Sequence, residues 1–234
     1  MLGTTDMLRN MLKAQKKARL QWASDYQQVR DDDWAQIIWS DECYIYLDNK
    51  NSHVYVTQCT DEVLLDECIV PTFKQSNIHV MIWACIMKDR RGPLIVLEYK
   101  GGKGGGMNSS RYQEQVLDGV LVDFYKAMRL EGGNIMFQQD RAPAHHSKST
   151  LKWFRFHNSP LFPHPSLSPD LNPIKPCWHE LKTHLWTWPR FPGTLQAVKQ
   201  IWKDLLIKDI NKHIRTMNER VQAVLDAKGS HTQF

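Results

Sequence analysis

The sequence predicts an α/β fold in which a mixed sheet is covered by helices. Three observations predict it. Short β-branched and aromatic runs crowd residues 36–97, one isolated apolar run ends at Asp140 between two helical stretches, and helical periodicity fills the C-terminal part. A meander of strands followed by alternating helices and strands gives this layering, because each face of a sheet has to be buried. With 234 residues, 42% hydrophobic content and nine tryptophans, the chain can bury one substantial core.

The elements follow in order. Leu8, Met11, Leu12, Ala18 and Trp22 recur among charges over about residues 7–29, a helical spacing without a Gly or Pro break. The runs 36–39, 43–47, 53–56, 78–86 and 94–97 are short and bounded by turn residues such as Asp48-Asn49 and Arg91-Gly92-Pro93, so they read as strands of an antiparallel meander. The segment Lys100–Gly106 holds too many glycines for regular structure and lacks the Lys-Ser/Thr ending of a phosphate-cradling loop. It reads as a connector, or as a loop that touches a partner chain or DNA. Asn108 caps a helix with Tyr112, Val116, Val120 and Phe124 on one side, ending at Gly132-Gly133. A strand ending at Asp140, a helix over 146–157, a short apolar piece at Leu161-Phe162 and a helix from Pro173 come next. One long amphipathic helix carrying Leu195, Val198, Trp202, Leu205, Ile214, Met217, Val221 and Val224 then stops at Gly229.

The composition excludes several classes. No run of about 18 apolar residues exists, and the first residues lack the basic and apolar regions of a secretory signal, so an intracellular protein without a membrane partner is expected. The five cysteines are odd in number and form no C-x-x-C pair, which points to reduced thiols. The net charge of +5 is modest, with Arg9, Lys13, Lys16, Lys17 and Arg19 near the start. That run permits a polyanion partner, though such runs are commonly solvated helix faces. The expected organisation is a basic helical leader at 1–34, a catalytic-type domain at 35–190, and the C-terminal helix at 191–234 packed on the same domain.

Three ordered motifs carry the chemistry: Trp39-Ser40-Asp41-Glu42, Gln138-Gln139-Asp140-Arg141-Ala142-Pro143-Ala144-His145, and Ser168-Pro169-Asp170-Leu171-Asn172-Pro173-Ile174-Lys175-Pro176-Cys177-Trp178. In them the chain resembles the catalytic domain of mariner-superfamily transposases, the branch founded by the nematode Tc-one element. The resemblance runs from about Arg19 to Gly229. It implies a ribonuclease-H-like, integrase-type fold: a mixed five-stranded sheet flanked by helices, with Asp41 and Asp140 on neighbouring strands and position 175 above them. The family places Asp, Asp and Glu at these positions, with the same thirty-four-residue gap that separates Asp140 from Lys175 here. The resemblance implies magnesium or manganese held by Asp41, Asp140 and the third acid, since two cations roughly 4 Å apart can activate the attacking oxygen and stabilise the leaving one. The implied reaction is nicking at transposon ends followed by attack of the freed 3′-hydroxyl on target DNA.

The chain departs from that pattern at Lys175, where the third acid is a lysine. In the first turn of a helix begun at Asn172-Pro173, a cation opposes the helix dipole, and the following Pro176 disfavours helical geometry before it. A fixed ammonium about 4 Å from a divalent cation would cost on the order of 8 kcal/mol at an effective dielectric of 20. Lys175 is therefore expected to pair with Asp41 and Asp140 in place of the metal charge. Glu180 is turned about 140° from position 175 on the helix, and Glu42 faces the other side of the sheet from Asp41, so neither replaces the missing acid. Arg141 stands where the family usually has asparagine. The family's paired helix-turn-helix modules are not matched by the residues before the first strand, so DNA contacts are expected to be nonspecific and salt-sensitive. His145-His146, His179 and His184 lack the spacing and further ligand of a zinc site.

The expectation is a transposon-derived strand transferase domain, catalytically impaired in this copy, with nuclear residence implied by the family alone. The alternative is a non-catalytic domesticated protein that binds DNA or forms a homodimer.

Overall fold

A computed structural model of the chain describes residues 13–46, 79–100, 105–187 and 195–234. The expected strand at 53–56 and residues 101–104 of the glycine-rich segment lie outside these residues. The first described elements are α1 (Lys13–Asp25) and the single turn α2 (Asp31–Trp34). Four strands follow: β1 (Ile37–Tyr46), β2 (His79–Met87), β3 (Arg90–Leu97) and, after intervening helices, β4 (Met136–Gln138). They form a mixed sheet of order β3-β2-β1-β4, antiparallel except for β1 and β4, which run parallel.

The sheet has four strands where five were expected, and the fifth place is a single parallel bridge between Phe137 and Leu161. Phe137 N donates to Pro160 O and Phe162 N to Phe137 O, the two bonds that make this bridge. A second correction concerns residues 36–47. In place of separate strands at 36–39 and 43–47, the described residues form one ten-residue strand, β1 (Ile37–Tyr46), because polar Ser40, Asp41 and Glu42 stay paired with Cys85, Ala84 and Trp83. The Ser40 hydroxyl also donates to Gln138 O across the parallel pair at 2.8 Å, satisfying its burial.

Helices cover both faces. On one lie α3 (Ser109–Tyr112), a π-helical stretch (Gln113–Leu121), α4 (Val122–Leu130) and α5 (Lys148–Phe156), packing Tyr112, Leu117, Leu121 and Phe154 onto Ile38, Trp83 and Phe137. Asn108 Oδ1 and Ser147 Oγ accept the N-terminal amides of α3 and α5. On the other face α6 (Ile174–Thr187) packs Ile174, Cys177 and Trp178 against Trp39 and Ile86.

The single C-terminal helix expected from the periodicity is three: α7 (Leu195–Asp204), α8 (Ile207–Arg215) and α9 (Met217–Asp226). Neither break has a Gly or Pro. Leu206 turns extended after α7, and the Arg91 guanidinium donates to the Leu205 carbonyl there; Thr216 Oγ1 donates to His213 O at the second break. A tertiary partner meets the freed carbonyl at the first break and a local hydroxyl meets it at the second, so the chain can bend at both. The last helix ends at Asp226, three residues before the expected Gly229; Lys228 and Gly229 take left-handed φ values of +50° and +79°, and Gly229 N closes the end on Val224 O.

A buried ion pair ties the ends to the centre. Arg19 of α1 donates in two parallel bonds of 2.7 and 2.6 Å to Asp170, with neither side chain exposed. Asp170 also accepts from Thr232, and Arg220 of α9 donates to its carbonyl. Burial works to raise the Asp170 pKa, yet the Arg19 bonds hold it below the usual carboxylate range. Removing one partner leaves a buried charge, so Arg19→Ala is expected to lower stability by about 3–5 kcal/mol in urea unfolding. The Arg19→Leu/Asp170→Leu double variant is expected to recover part of that loss; equal loss in single and double variants would contradict this account.

A cleft with a lysine among its acids

The parallel register of β1 and β4 builds the site. Trp39 pairs with Gln138, and two residues beyond each stand Asp41 and Asp140. Asn172, just before α6, donates from Nδ2 to Ser40 O at 2.9 Å and accepts Ile174 N at Oδ1, pinning the start of α6 over β1. Lys175 then lies in its first turn, and Pro176 is tolerated there because early helical amides have no intrahelical acceptor. Asp41, Asp140, Arg141, His164 and Lys175 line one cleft of about 360 Å³.

Lys175 Nζ sits 2.6 Å from Asp41 Oδ2, and Trp178 Nε1 donates to that oxygen at 2.9 Å. Asp41 is only 8% exposed, and burial raises its pKa to about 6 despite Lys175 and Trp178, which both favour the charged form.

Asp140 has a different partner. Its Oδ1 accepts from Ala142 N at 2.9 Å and lies 2.5 Å from His145 Nδ1. The other imidazole nitrogen is 3.3 Å from Glu42 Oε1, near enough for charge attraction though not aligned as a hydrogen bond. Burial disfavours the charged imidazole, but the two carboxylates prevail and push His145 up to about 10. Burial likewise works to raise Asp140, and its bond to His145 more than offsets it, leaving Asp140 below the ordinary value. Tyr112 stacks obliquely on His145 with ring centres 4.1 Å apart, and its hydroxyl donates to Gln139. Glu42 thus works on the sheet face opposite Asp41.

The sequence-expected residues divide accordingly. Lys175 contacts Asp41 but not Asp140, whose close cation is His145. Glu180 pairs with His213 at 2.7 Å, away from the cleft, and Arg141 Nε donates to His164 O at 3.2 Å. Among the described residues no group of three His, Cys, Asp or Glu stands ready to hold a metal ion. Two participants were assigned no role from the sequence: Trp178, which closes the third motif and whose indole faces Asp41, and buried His164, whose ring nitrogens have no hydrogen-bond partner and whose pKa burial lowers to about 4. Only Pro163 and Pro165 around His164 hinted that it sits in a fixed wall.

Comparisons with known proteins agree with this layout. The DDE superfamily endonuclease family matches residues 36–199. The Tc1 transposase of Caenorhabditis elegans is 30% identical over 231 residues, covering 95% of this chain and 79% of its own. The Tcb1 transposase of Caenorhabditis briggsae is also 30% identical, over 94% of this chain and 78% of its own. Among solved structures, the Mos1 transposase catalytic domain with raltegravir and Mg superposes with a TM-score of 0.68 at 17% identity, over 96% of this chain and all of that one. The Mos1 mariner paired end complex with Mn gives 0.71 at 18% identity, over 96% of this chain and 65% of that one. No described helix is long and apolar enough to cross a membrane. With a ribonuclease-H-like sheet, two aspartates at its parallel seam and these relatives along nearly its whole length, the chain belongs to the DDE superfamily endonucleases, as a catalytic domain of the Tc1/mariner transposase type.

Proposed function

We propose that this domain engages DNA at its cleft without cutting it, because Lys175 takes the place of both the third acid and the metal charge. The observation that carries the reading is the 2.6 Å contact between Lys175 Nζ and Asp41 Oδ2. Two-metal nucleases need hard oxygen ligands on both ions. Here one Asp41 oxygen is taken by an ammonium and an indole, and one Asp140 oxygen by an imidazole and an amide. The residues present do not fit a magnesium or manganese pair. The DNA contact is nonspecific and dominated by phosphates in this reading, as the basic sequence balance favours. Nuclear residence goes with such a role.

Two experiments test the reading. Purified protein is expected to leave supercoiled plasmid intact in manganese, whereas Lys175→Glu is expected to nick it faster by ~10²-fold or more, the scale of restoring one contact to developing charge. That gain should vanish in Lys175→Glu/Asp140→Asn; nicking by the unsubstituted chain that Asp140→Asn abolishes would refute the proposal. The second uses pH. Asp41 has a raised folded pKa of about 6 against 3.8, so its contribution to stability is complete below the lower value and lost as pH rises through the upper. The stability of the unsubstituted protein relative to Asp41→Asn should fall by on the order of 3 kcal/mol over that window. A difference that grows with pH would mean that Lys175 outweighs the burial of Asp41.

A further inference from the structure

Helix α5 leaves the cleft rim directly after His145 and presents a single outward face. Lys148, Lys152 and Phe156 follow one another at four-residue spacing along it, with Arg155 beside them. All four are exposed, Phe156 to 80%, while Thr150 and Phe154 on the opposite face are buried and Phe154 stacks on Phe137 at 5.5 Å. The three cations make no ion pair among the described residues. Residues 141–169 contain no Asp or Glu at all, so nothing acidic in that stretch offsets Arg141, Lys148, Lys152 and Arg155. Beyond the end of the helix Arg129 reaches the Asn158 carbonyl at 3.4 Å. Beside the exposed ring, Trp153 and His157 stack at 4.0 Å and give it a firm aromatic neighbour.

A merely solvated helix face has no use for a phenylalanine in line with two lysines, and it ordinarily mixes acids with bases. Cations interleaved with an exposed aromatic fit a nucleic-acid strand, whose phosphates take the charges while an unstacked base lies on the ring. Lys148 and Arg155 are ~10 Å apart along the helix, so the three cations lie along a short stretch of strand. We infer that the outward face of α5 is a track for a single DNA strand leaving the cleft, with phosphates on Lys148, Lys152 and Arg155 and a base on Phe156. The inference rests on the reading of the cleft as a DNA site and adds where the strand runs and that it is unpaired there.

Fluorescence anisotropy with a short labelled single-stranded oligodeoxynucleotide, and with its duplex, tests the track in the full chain. The Lys148→Glu/Lys152→Glu/Arg155→Glu variant should bind the single strand more weakly by tenfold or more, and the slope of log affinity against log salt should shrink by about two, at ~0.7 per lost contact. Phe156→Ala should weaken single-strand binding by about tenfold and leave duplex binding unchanged. The Lys199→Glu/Lys203→Glu/Lys208→Glu variant, on α7 and α8 beyond the other sheet face, is the charge-matched control and should lose little. If the control loses as much as the α5 variant, or the α5 variant loses nothing, the track is overturned while the cleft reading stands. Equal loss on single strand and duplex in Phe156→Ala overturns the unpaired-base assignment. If the unsubstituted chain binds neither DNA, both the track and the cleft reading fall. Every substituted side chain is exposed, so loss of fold does not mimic these outcomes, and circular dichroism verifies that.

Discussion

A carboxylate buried in the middle of a strand has to be matched by a cation or it drives its own protonation, and Asp41 sets that requirement for the whole domain. Its neighbours Trp39 and Cys43 lie in an apolar layer and its cross-strand partner is Ala84, so the cleft wall leaves it only 8% exposed and little water relieves its charge. In a metal-dependent relative of this fold, cations would meet the demand. Here α6 meets it with Lys175, although the lysine stands in a first helical turn where the dipole disfavours it by about 0.3–1 kcal/mol. The attraction to Asp41 exceeds that penalty, yet burial still raises Asp41 to about 6. Desolvation outweighing Coulombic gain is the usual balance of a buried ion pair.

The scaffold exists to keep that contact in place. Asn172 ties the start of α6 to the β1 backbone, and Asp170, two residues earlier, is locked by Arg19, Arg220 and Thr232 from both ends of the chain. The α6 origin is therefore fixed by residues remote in sequence, and a change at Arg19 reaches Lys175 through one short segment. Beside it a second charge group balances itself: His145, beneath Tyr112, lies between Glu42 and Asp140, and Asp140 borders the same cleft as Asp41. Alternation along β1 turns Asp41 and Glu42 to opposite faces, and Asp140 at the end of the neighbouring strand borders both groups.

Much of this was legible in the sequence. Motif order and the thirty-four-residue gap foretold the family, and Asn108 marked a helix start through its own side chain. The convergence of Asp41, Asp140 and Lys175 was readable only through that motif order. What escaped depended on distant partners. The continuity of β1 through Ser40-Asp41-Glu42 relies on Gln138, ninety-eight residues from Ser40. The breaks at Leu206 and Thr216 carry no local breaker, and the first uses Arg91 to satisfy Leu205. His145 looked like a candidate metal ligand by residue type, whereas its role as the partner of Asp140 needed the loop between β4 and α5 to fold back.

The central claim is that an ammonium has replaced metal at this site, and calorimetric titration of manganese into the purified domain tests it most directly. The account predicts no binding heat above dilution for the unsubstituted protein and saturable binding for Lys175→Glu. Saturable manganese binding by the unsubstituted protein, lost on Asp140→Asn, would contradict it.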